Sequence, residues 1–342
     1  MELGMGGMCM VTIKDVAQDA NVAVGTVSKV INGQYVSEKN REKVEASIKK
    51  LGYQVNYYAR GLKMQRTYTV AVIVPEILNP FFAAWVYYIE QALFQQGYKM
   101  LLCNTQGMDE KEEYYFKMAS QNKVDGIICI TYRSEESYVY EDIPIISLDR
   151  RFERKISCIC SDNYHGGEVA AQKMISTGSR NLIYIRSGSK IPGETMKRGQ
   201  GFCDYCQSKG LDCEVLDLGD DHESFEDRKS NIETEINQFL TVNRIDGKLR
   251  YDGIYASTDW LAMIILEQME KIGIRVPEET QLVGHDGLRW MNRGDYMLST
   301  IVQPVEEMAK TSVELVIKKI QGEEIDILTM LPITFAAKGT TR

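Results

Sequence analysis

Lys29, Ser28 and Thr26 are the first residues along the chain that could do chemistry on a partner molecule. In Val24-Gly25-Thr26-Val27-Ser28-Lys29-Val30-Ile31 a helical period gathers Val27, Val30 and Ile31 inward and turns Gly25, Thr26, Ser28 and Lys29 outward. Hydroxyls and an ammonium group on one exposed helix face are suited to reading base edges in a DNA major groove. Other clusters point to less. Cys203-x-x-Cys206 and Cys158-x-Cys160 invite a metal or redox reading, yet no second CxxC follows, and His165, His222 and His285 stand at no finger-like spacing. Buried structural thiols are expected instead, with no metal and no cofactor. The chain has no G-x-G-x-x-G opening a helix after its first strand, no P-loop, no G-x-S-x-G and no H-E-x-x-H, so catalysis is not expected.

The outward-facing helix needs a scaffold, and residues 11–55 supply one. Thr12 is placed to cap a first helix, with Asp15 three residues on completing a capping box. Ile13, Val16, Ala17 and Ala20 share that helix's apolar face. The turn Asn21-Val22-Ala23 leads into the second helix, which runs to about Asn32. A third starts at Ser37, carries Val44, Ile48 and Leu51 on its core side, and stops at Gly52. This is the layout of a helix-turn-helix head whose second helix lies in the groove.

Four blocks in this order resemble the lactose/galactose repressor (LacI/GalR) family: Thr12–Ala17, Thr26–Gly33, Val36–Val44 and Leu51–Leu62. The resemblance implies that Val24, Gly25, Thr26, Ser28 and Lys29 read bases, and that Thr12, Asn32, Tyr35, Ser37 and Asn56 touch the DNA. Phosphate contacts of that kind fix register rather than sequence. It also implies that 56–62 forms a hinge helix, with Leu62 entering the minor groove as an apolar wedge beside Ala59. Two departures weaken the second helix. Ala23 replaces the family's usual Ser cap, which costs about 1 kcal/mol, and Gly25 inside the helix costs roughly another 0.5–1.

From Tyr68 onward, apolar runs alternate with amphipathic helices. Residues 70–75, 99–104, 125–130 and 144–148 read as buried parallel strands, and so do 181–186, 213–218, 251–257 and 281–286. The pattern predicts an α/β fold of two doubly wound parallel-sheet subdomains. This part resembles the family's effector domain, akin to periplasmic sugar-binding proteins. Among the matching pieces are Asn79-Pro80-Phe81-Phe82, Asp149-Arg150, Asp162-Asn163, Arg198-Gly199, Thr258-Asp259, Gly284-His285-Asp286 and Gln303-Pro304. Ligands of such folds lie at the C-terminal strand ends. Asp149, Arg198, Asp259 and Asp286 follow predicted strands or open helices there, and Phe81 or Phe82 offers an apolar face. Carboxylates and an arginine bind sugar hydroxyls through paired hydrogen bonds. His285 stands where the family has Phe or Tyr. A core imidazole is expected; if it faced the cleft, effector affinity would change near neutral pH.

The formal charge of −8 divides unevenly. Residues 12–66 hold ten Lys/Arg against five Asp/Glu, a balance of +5, which leaves −13 on the remainder. A basic head on an acidic body keeps phosphate contact local. No run of eighteen apolar residues is present, and the first nine residues lack the regions of a signal peptide, so a cytoplasmic protein is expected. The expected domains are a mobile extension (1–10), the head (11–55), a hinge and linker (56–67) and the effector and dimerisation domain (68–342). Within the last, one subdomain takes about 68–162 and 293–325, the other about 163–292 and 326–342. The resemblance implies a homodimeric repressor on a palindromic operator, switched by a small molecule such as a sugar. Control of the same fold by a partner protein or a purine-like corepressor is the alternative.

Overall fold

The computed structural model describes residues 11–31, 33–53, 66–131, 143–152, 156–188, 192–219, 225–289 and 294–342. It divides into two units, 1–67 and 68–342. The extension, Asn32, His222 and the hinge positions Asn56, Ala59 and Leu62 lie outside the described residues.

The first unit holds α1 (Ile13–Asp19), α2 (Val24–Ile31) and α3 (Glu38–Leu51). Its core is Val16, Ala17, Ala20, Val27, Val30 and Val44, with Ile13, Ile48 and Leu51 packed at the edge. The capping box forms: Thr12 N and Oγ1 each donate to Asp15 Oδ2 at 2.7 Å, while Thr12 Oγ1 accepts from Asp15 N. Ser37 precedes α3 but makes no capping hydrogen bond, and Gly52 closes the helix in the left-handed region. A polar tie absent from the apolar pattern joins α3 to α1. Ser47, buried, donates to Asp19 at 2.6 Å, and Lys50 Nζ reaches the same carboxylate at 2.7 Å.

In the second unit the elements are β1 (Thr69–Val74), α4 (Pro80–Gln95), β2 (Lys99–Asn104), α5 (Asp109–Met118), β3 (Gly126–Cys129), β4 (Ile145–Leu148) and β5 (Ser157–Ser161). There follow α6 (Asn163–Ser176), β6 (Leu182–Arg186), α7 (Lys197–Ser208), β7 (Cys213–Asp217), α8 (Phe225–Val242), β8 (Arg244–Ile245) and β9 (Lys248–Leu249). The last are β10 (Gly253–Ala256), α9 (Asp259–Lys271), β11 (Gln281–Asp286), β12 (Thr300–Val302), α10 (Val305–Ile320), β13 (Leu328–Leu331) and β14 (Thr334–Ala336). Two six-stranded sheets result, ordered β13-β5-β4-β3-β1-β2 and β14-β12-β11-β10-β6-β7. Both are parallel except for β14, which runs antiparallel to β12. Apolar layers cover both faces of each sheet, which is why the strands read as continuous apolar runs.

The subdomain boundaries near the C-terminus differ from expectation. β12 pairs with β11 in the second sheet, although 293–325 was expected in the first subdomain. β13 pairs with β5 in the first sheet, although 326–342 was expected in the second. Strands of three and four residues are too short to carry a period, so the sequence pattern does not say which sheet they join. The chain therefore passes between the sheets at 161–163, 302–305 and 331–334. Among the described residues no helix is long and apolar enough to cross a membrane.

The cysteines split. Cys103, Cys129, Cys158, Cys160 and Cys206 are buried free thiols, as the pattern predicts. Cys203 instead forms a disulfide with Cys213, joining α7 to β7. Cys206, the other half of the Cys203-x-x-Cys206 motif, lies one helical turn on and is buried as a free thiol.

Candidate functional site: an exposed helix face and a charged cluster

On the head, the outward face of α2 is as the periodicity demands. Val24 is 42% exposed, Gly25 and Lys29 are exposed, and Thr26 and Ser28 are half-buried. Tyr35 is 92% exposed in the following loop, and Ser37 is exposed beside it. Ala23 occupies the cap position, since its carbonyl accepts from Thr26 N and Val27 N, but its methyl side chain cannot accept from the first-turn amides. Thr12 is exposed, with its hydroxyl engaged in capping.

In the second unit the candidate residues meet at the C-terminal strand ends, and two close helices hold them there. Gly167 of α6 and Gly201 of α7 sit so near the facing backbone that a Cβ on either would fall 2.0 Å from Arg198 O or Tyr164 O. This approach sets Arg198, at the start of α7, against Asn163, at the start of α6. Arg198 is 4% exposed; its Nε donates to Asn163 Oδ1 at 2.7 Å and its Nη1 to Ser257 O at 2.6 Å. Nη1 also lies 3.8 Å from Asp286 Oδ1.

Asp149 and Asp286 leave the ends of β4 and β11 with positive φ, +58° and +137°. Non-glycine residues hold such conformations only where their surroundings compel it, and they cluster at functional sites. Asn163 Nδ2 donates to Asp149 Oδ1 at 3.3 Å, and Gln303 Nε2 donates to Asp286 Oδ1 at 2.8 Å. Gln303 in turn accepts from Ser161 at 2.8 Å, so the second sheet is joined to the end of β5. Asp259 is fully buried. Its carboxylate accepts from Gly287 N, Leu288 N and Thr300 Oγ1 at 2.6–2.9 Å, which occupies it with the backbone that follows Asp286. Asp259 thus positions the loop carrying Asp286.

On the first sheet's side, Asn79 caps α4 by accepting from Phe81 N at 3.0 Å, with Pro80 at the first helical position. Phe81 is buried and meets Phe82 edge-on at 5.9 Å. Sequence reasoning missed Glu194. It is buried in a single turn before α7, its carboxylate takes Lys197 Nζ at 2.7 Å and Arg151 Nε at 3.4 Å, and its amide donates to Asp149 O at 2.8 Å. No periodic pattern marks it. Asn163 and Gln303 stand within the blocks that carry the family resemblance, so their polar roles had a signal.

One guanidinium serves several buried carboxyls. Burial raises Asp149 to about 6, against the pull of Arg198, and burial likewise raises Asp286 and Asp259. Burial opposes the charge on Arg198, yet Asp286 and Asp149 together hold it above its ordinary value. A cluster with more carboxyls than cations keeps a proton among them near neutrality. Such a site offers donors and acceptors together, the pattern that a polyhydroxylated ligand satisfies.

His285 is a core imidazole and takes no part in this cluster's hydrogen bonds. It is fully buried beneath α6, its Nδ1 is 2.6 Å from Tyr255 Oη, and its Nε2 has no partner. Burial and Arg198 hold its pKa well below the ordinary value, so it stays neutral.

Comparison with known proteins agrees with this division. Residues 12–56 match a family described as bacterial regulatory proteins of the lacI family. Residues 67–338 match periplasmic binding proteins and the sugar-binding domain of that family. The chain is 34% identical to a sucrose operon repressor of Pediococcus pentosaceus, over 90% of this chain and 92% of that one. It is 30% identical to a ribose operon repressor of Halalkalibacterium halodurans, over 97% and 98%. A solved periplasmic binding protein/LacI transcriptional regulator from Alkaliphilus metalliredigens, in complex with D-xylulofuranose, superposes with a TM-score of 0.68 at 28% identity. It covers 80% of this chain and 99% of that one.

Proposed function

The chain belongs to the LacI family of bacterial regulatory proteins, and from that premise we propose that it is a sequence-specific repressor whose DNA affinity is set by a small sugar or sugar derivative. Its relatives of known role are transcriptional repressors, not enzymes. The proposed operator is a palindrome bound by a homodimer, with α2 of each copy in a major groove and the proposed wedge Leu62 at the centre. The proposed compartment is the cytoplasm, where such DNA lies.

The observation that carries the effector reading is the cluster Asp149–Asn163–Arg198–Asp286–Gln303 at the strand ends of both sheets, all of it buried except the half-buried Asp149. Asp149, Arg198 and Asp286 take the hydroxyls, and Phe81 with Phe82 takes an apolar sugar face. Relatives named for sucrose and ribose operons, and a neighbour holding a furanose, support a neutral carbohydrate.

The test is selection of bound duplexes from a random library with full-length protein, followed by release or tightening with a panel of neutral mono- and disaccharides. Enrichment of a palindrome, and a change in its affinity with one sugar that is lost in Asp286→Asn, is the expected result. No enriched sequence would refute the repressor reading; an operator insensitive to every sugar would refute the effector reading alone.

A further inference from the structure

Among the described cysteines, most are shut away from chemistry and two are not. Cys103, Cys129, Cys158, Cys160 and Cys206 are buried free thiols, and burial raises the pKa of each above its ordinary value, so none is a reactive thiolate near neutrality. Cys203 and Cys213 are half-buried and form the disulfide between α7 and β7. Their Cα atoms are 5.3 Å apart, inside the range that a disulfide spans without backbone movement, so one fold accommodates the open and the closed pair. In a reducing cytoplasm, the compartment proposed above, an accessible disulfide is usually a transient and responsive one rather than a permanent staple.

The pair stands where closure bears on the charged cluster. α7 begins at Lys197 and Arg198, and Cys203 lies on it two residues beyond Gly201, the point of closest approach to α6. Phe202 and Cys206 of the same helix turn inward onto the second sheet. β7, which Cys213 opens, is the edge strand of that sheet, and its one sheet neighbour among the described residues is β6. Closure therefore ties the middle of α7 to the sheet edge and narrows the positions open to Arg198; with the thiols apart that restraint is gone. Asp204, Asp212 and Glu214 flank the two cysteines and are exposed. An acidic approach favours a small neutral oxidant over an anionic one.

We propose that Cys203 and Cys213 are a reversible redox site, closed by a hydroperoxide and opened by a dithiol, and that closure steadies Arg198 for its ligand. The last clause rests on the sugar-binding reading above; the redox site stands without it. In closure, the thiolate of one cysteine attacks an oxygen of hydrogen peroxide and expels hydroxide, leaving a sulfenic acid. The second thiol attacks that sulfur and releases water, while the hydroxide takes up the proton that the first thiol had lost. Two thiols and one peroxide thus give one disulfide and two waters. In opening, one thiolate of the dithiol attacks the disulfide to form a mixed disulfide. Its other thiol then attacks its own sulfur in that bond, so the reductant leaves as a cyclic disulfide and both cysteines return to thiols.

The experiment treats folded full-length protein with dithiothreitol or hydrogen peroxide, without denaturant, then blocks free thiols with a maleimide and maps the peptides that carry Cys203 and Cys213 by mass spectrometry. Both should be labelled after the dithiol, joined after the peroxide, and labelled again when the dithiol returns. The closed form should melt about 5–10 °C above the open one, the scale for a short closed loop in a unit of this size. Amide exchange in α7 should slow roughly tenfold on closure. In calorimetric titrations with the neutral sugar panel, the closed form should bind at least about threefold more tightly, because less freedom is left to lose. The double variant Cys203→Ser, Cys213→Ser should behave as the open form under either treatment, which controls for oxidation elsewhere. A disulfide that the dithiol cannot open in the folded protein, thiols that the peroxide leaves apart, or equal α7 exchange in the two forms would overturn the proposal. Equal sugar affinity in both forms would overturn the role given to Arg198. A chain that cycles its thiols and stiffens α7 but binds no sugar would refute the effector reading and uphold the redox site.

Discussion

Replacing Arg198 by Met keeps a long, flexible side chain and removes the only charge among the described residues that faces Asp149 and Asp286 together. The guanidinium donates to Asn163 and Ser257 and lies 3.8 Å from Asp286. Breaking a buried ion pair from one side leaves an uncompensated buried charge and costs about 3–5 kcal/mol. For a unit of this size that is a fall in Tm of roughly 6–15 °C at pH 8. The pH dependence separates this mechanism from simple loss of packing. Asp149, ordinarily near 3.8, is already raised to about 6 by burial against the opposition of Arg198, so loss of the guanidinium raises it further. A carboxyl whose folded pKa exceeds its unfolded one adds stability that is fully present below the unfolded value and is lost as pH climbs through the folded one. The variant should therefore be nearest to the parent at about pH 5, where the remaining cost is that of the lost hydrogen bonds, about 1–2 kcal/mol, and furthest from it at pH 8. Thermal melts of both proteins across pH 5–8 measure this, and adding Asp286→Asn should recover part of the loss at pH 8. A cost independent of pH, or no recovery in the double variant, would refute the electrostatic account of the cluster.

Thr12→Ala removes the hydroxyl half of the capping box, leaves the backbone amide at position 12 donating to Asp15, and should cost the head about 1 kcal/mol, seen as faster amide exchange in α1 with the second unit's melt unchanged. Gly201→Ala drives a Cβ to 2.0 Å from Tyr164 O and should cost more than about 3 kcal/mol; because α7 carries Arg198, a soluble variant should also lose sugar binding by titration calorimetry. His285→Gln retains a partner for Tyr255 Oη. The parent imidazole, held neutral by burial, contributes stability present above the ordinary histidine pKa and lost as pH falls below it. The variant should lose less stability than the parent between pH 6.5 and 5, by calorimetric melts, while sugar affinity from pH 6.5 to 8 stays equal in the two.

The elements that the sequence made legible are those with a long period or a local chemical signature. Thr12 and Asp15 bond as their spacing requires, and β11 runs over the six residues 281–286 that the sequence pattern marks as a buried strand. The elements that were hidden depend on contacts distant in sequence. β12 and β13 are too short to announce their sheets, and their pairing is decided by where the chain crosses between them. Ser47 lies in a polar helix, and its burial depends on Asp19, from another helix, which accepts its hydrogen bond. Glu194 sits in a single turn and is buried only because Lys197, Arg151 and the Asp149 carbonyl surround it. Cys203 pairs with Cys213 across a turn, where the sequence drew attention to Cys206.

The same side chains that would hold a sugar also hold the two sheets together. Asp149 follows β4 of the first sheet and is bonded by Asn163 of α6, while Glu194, which follows β6, donates to its carbonyl. Gln303 holds Asp286 of the second sheet with one end of its amide and Ser161 of the first with the other. A ligand that takes up Asp149 or Asp286 must compete with these bonds or add to them, so it acts on the relation between the sheets. A ligand shifts a conformational equilibrium only by its differential affinity for the two states. Contacts confined to one sheet would give little such difference. Residues that bridge both sheets supply it directly, and a variant cut at Gln303, as Gln303→Leu, should still bind sugar through Asp286 and Arg198 while losing most of the sugar's effect on operator affinity.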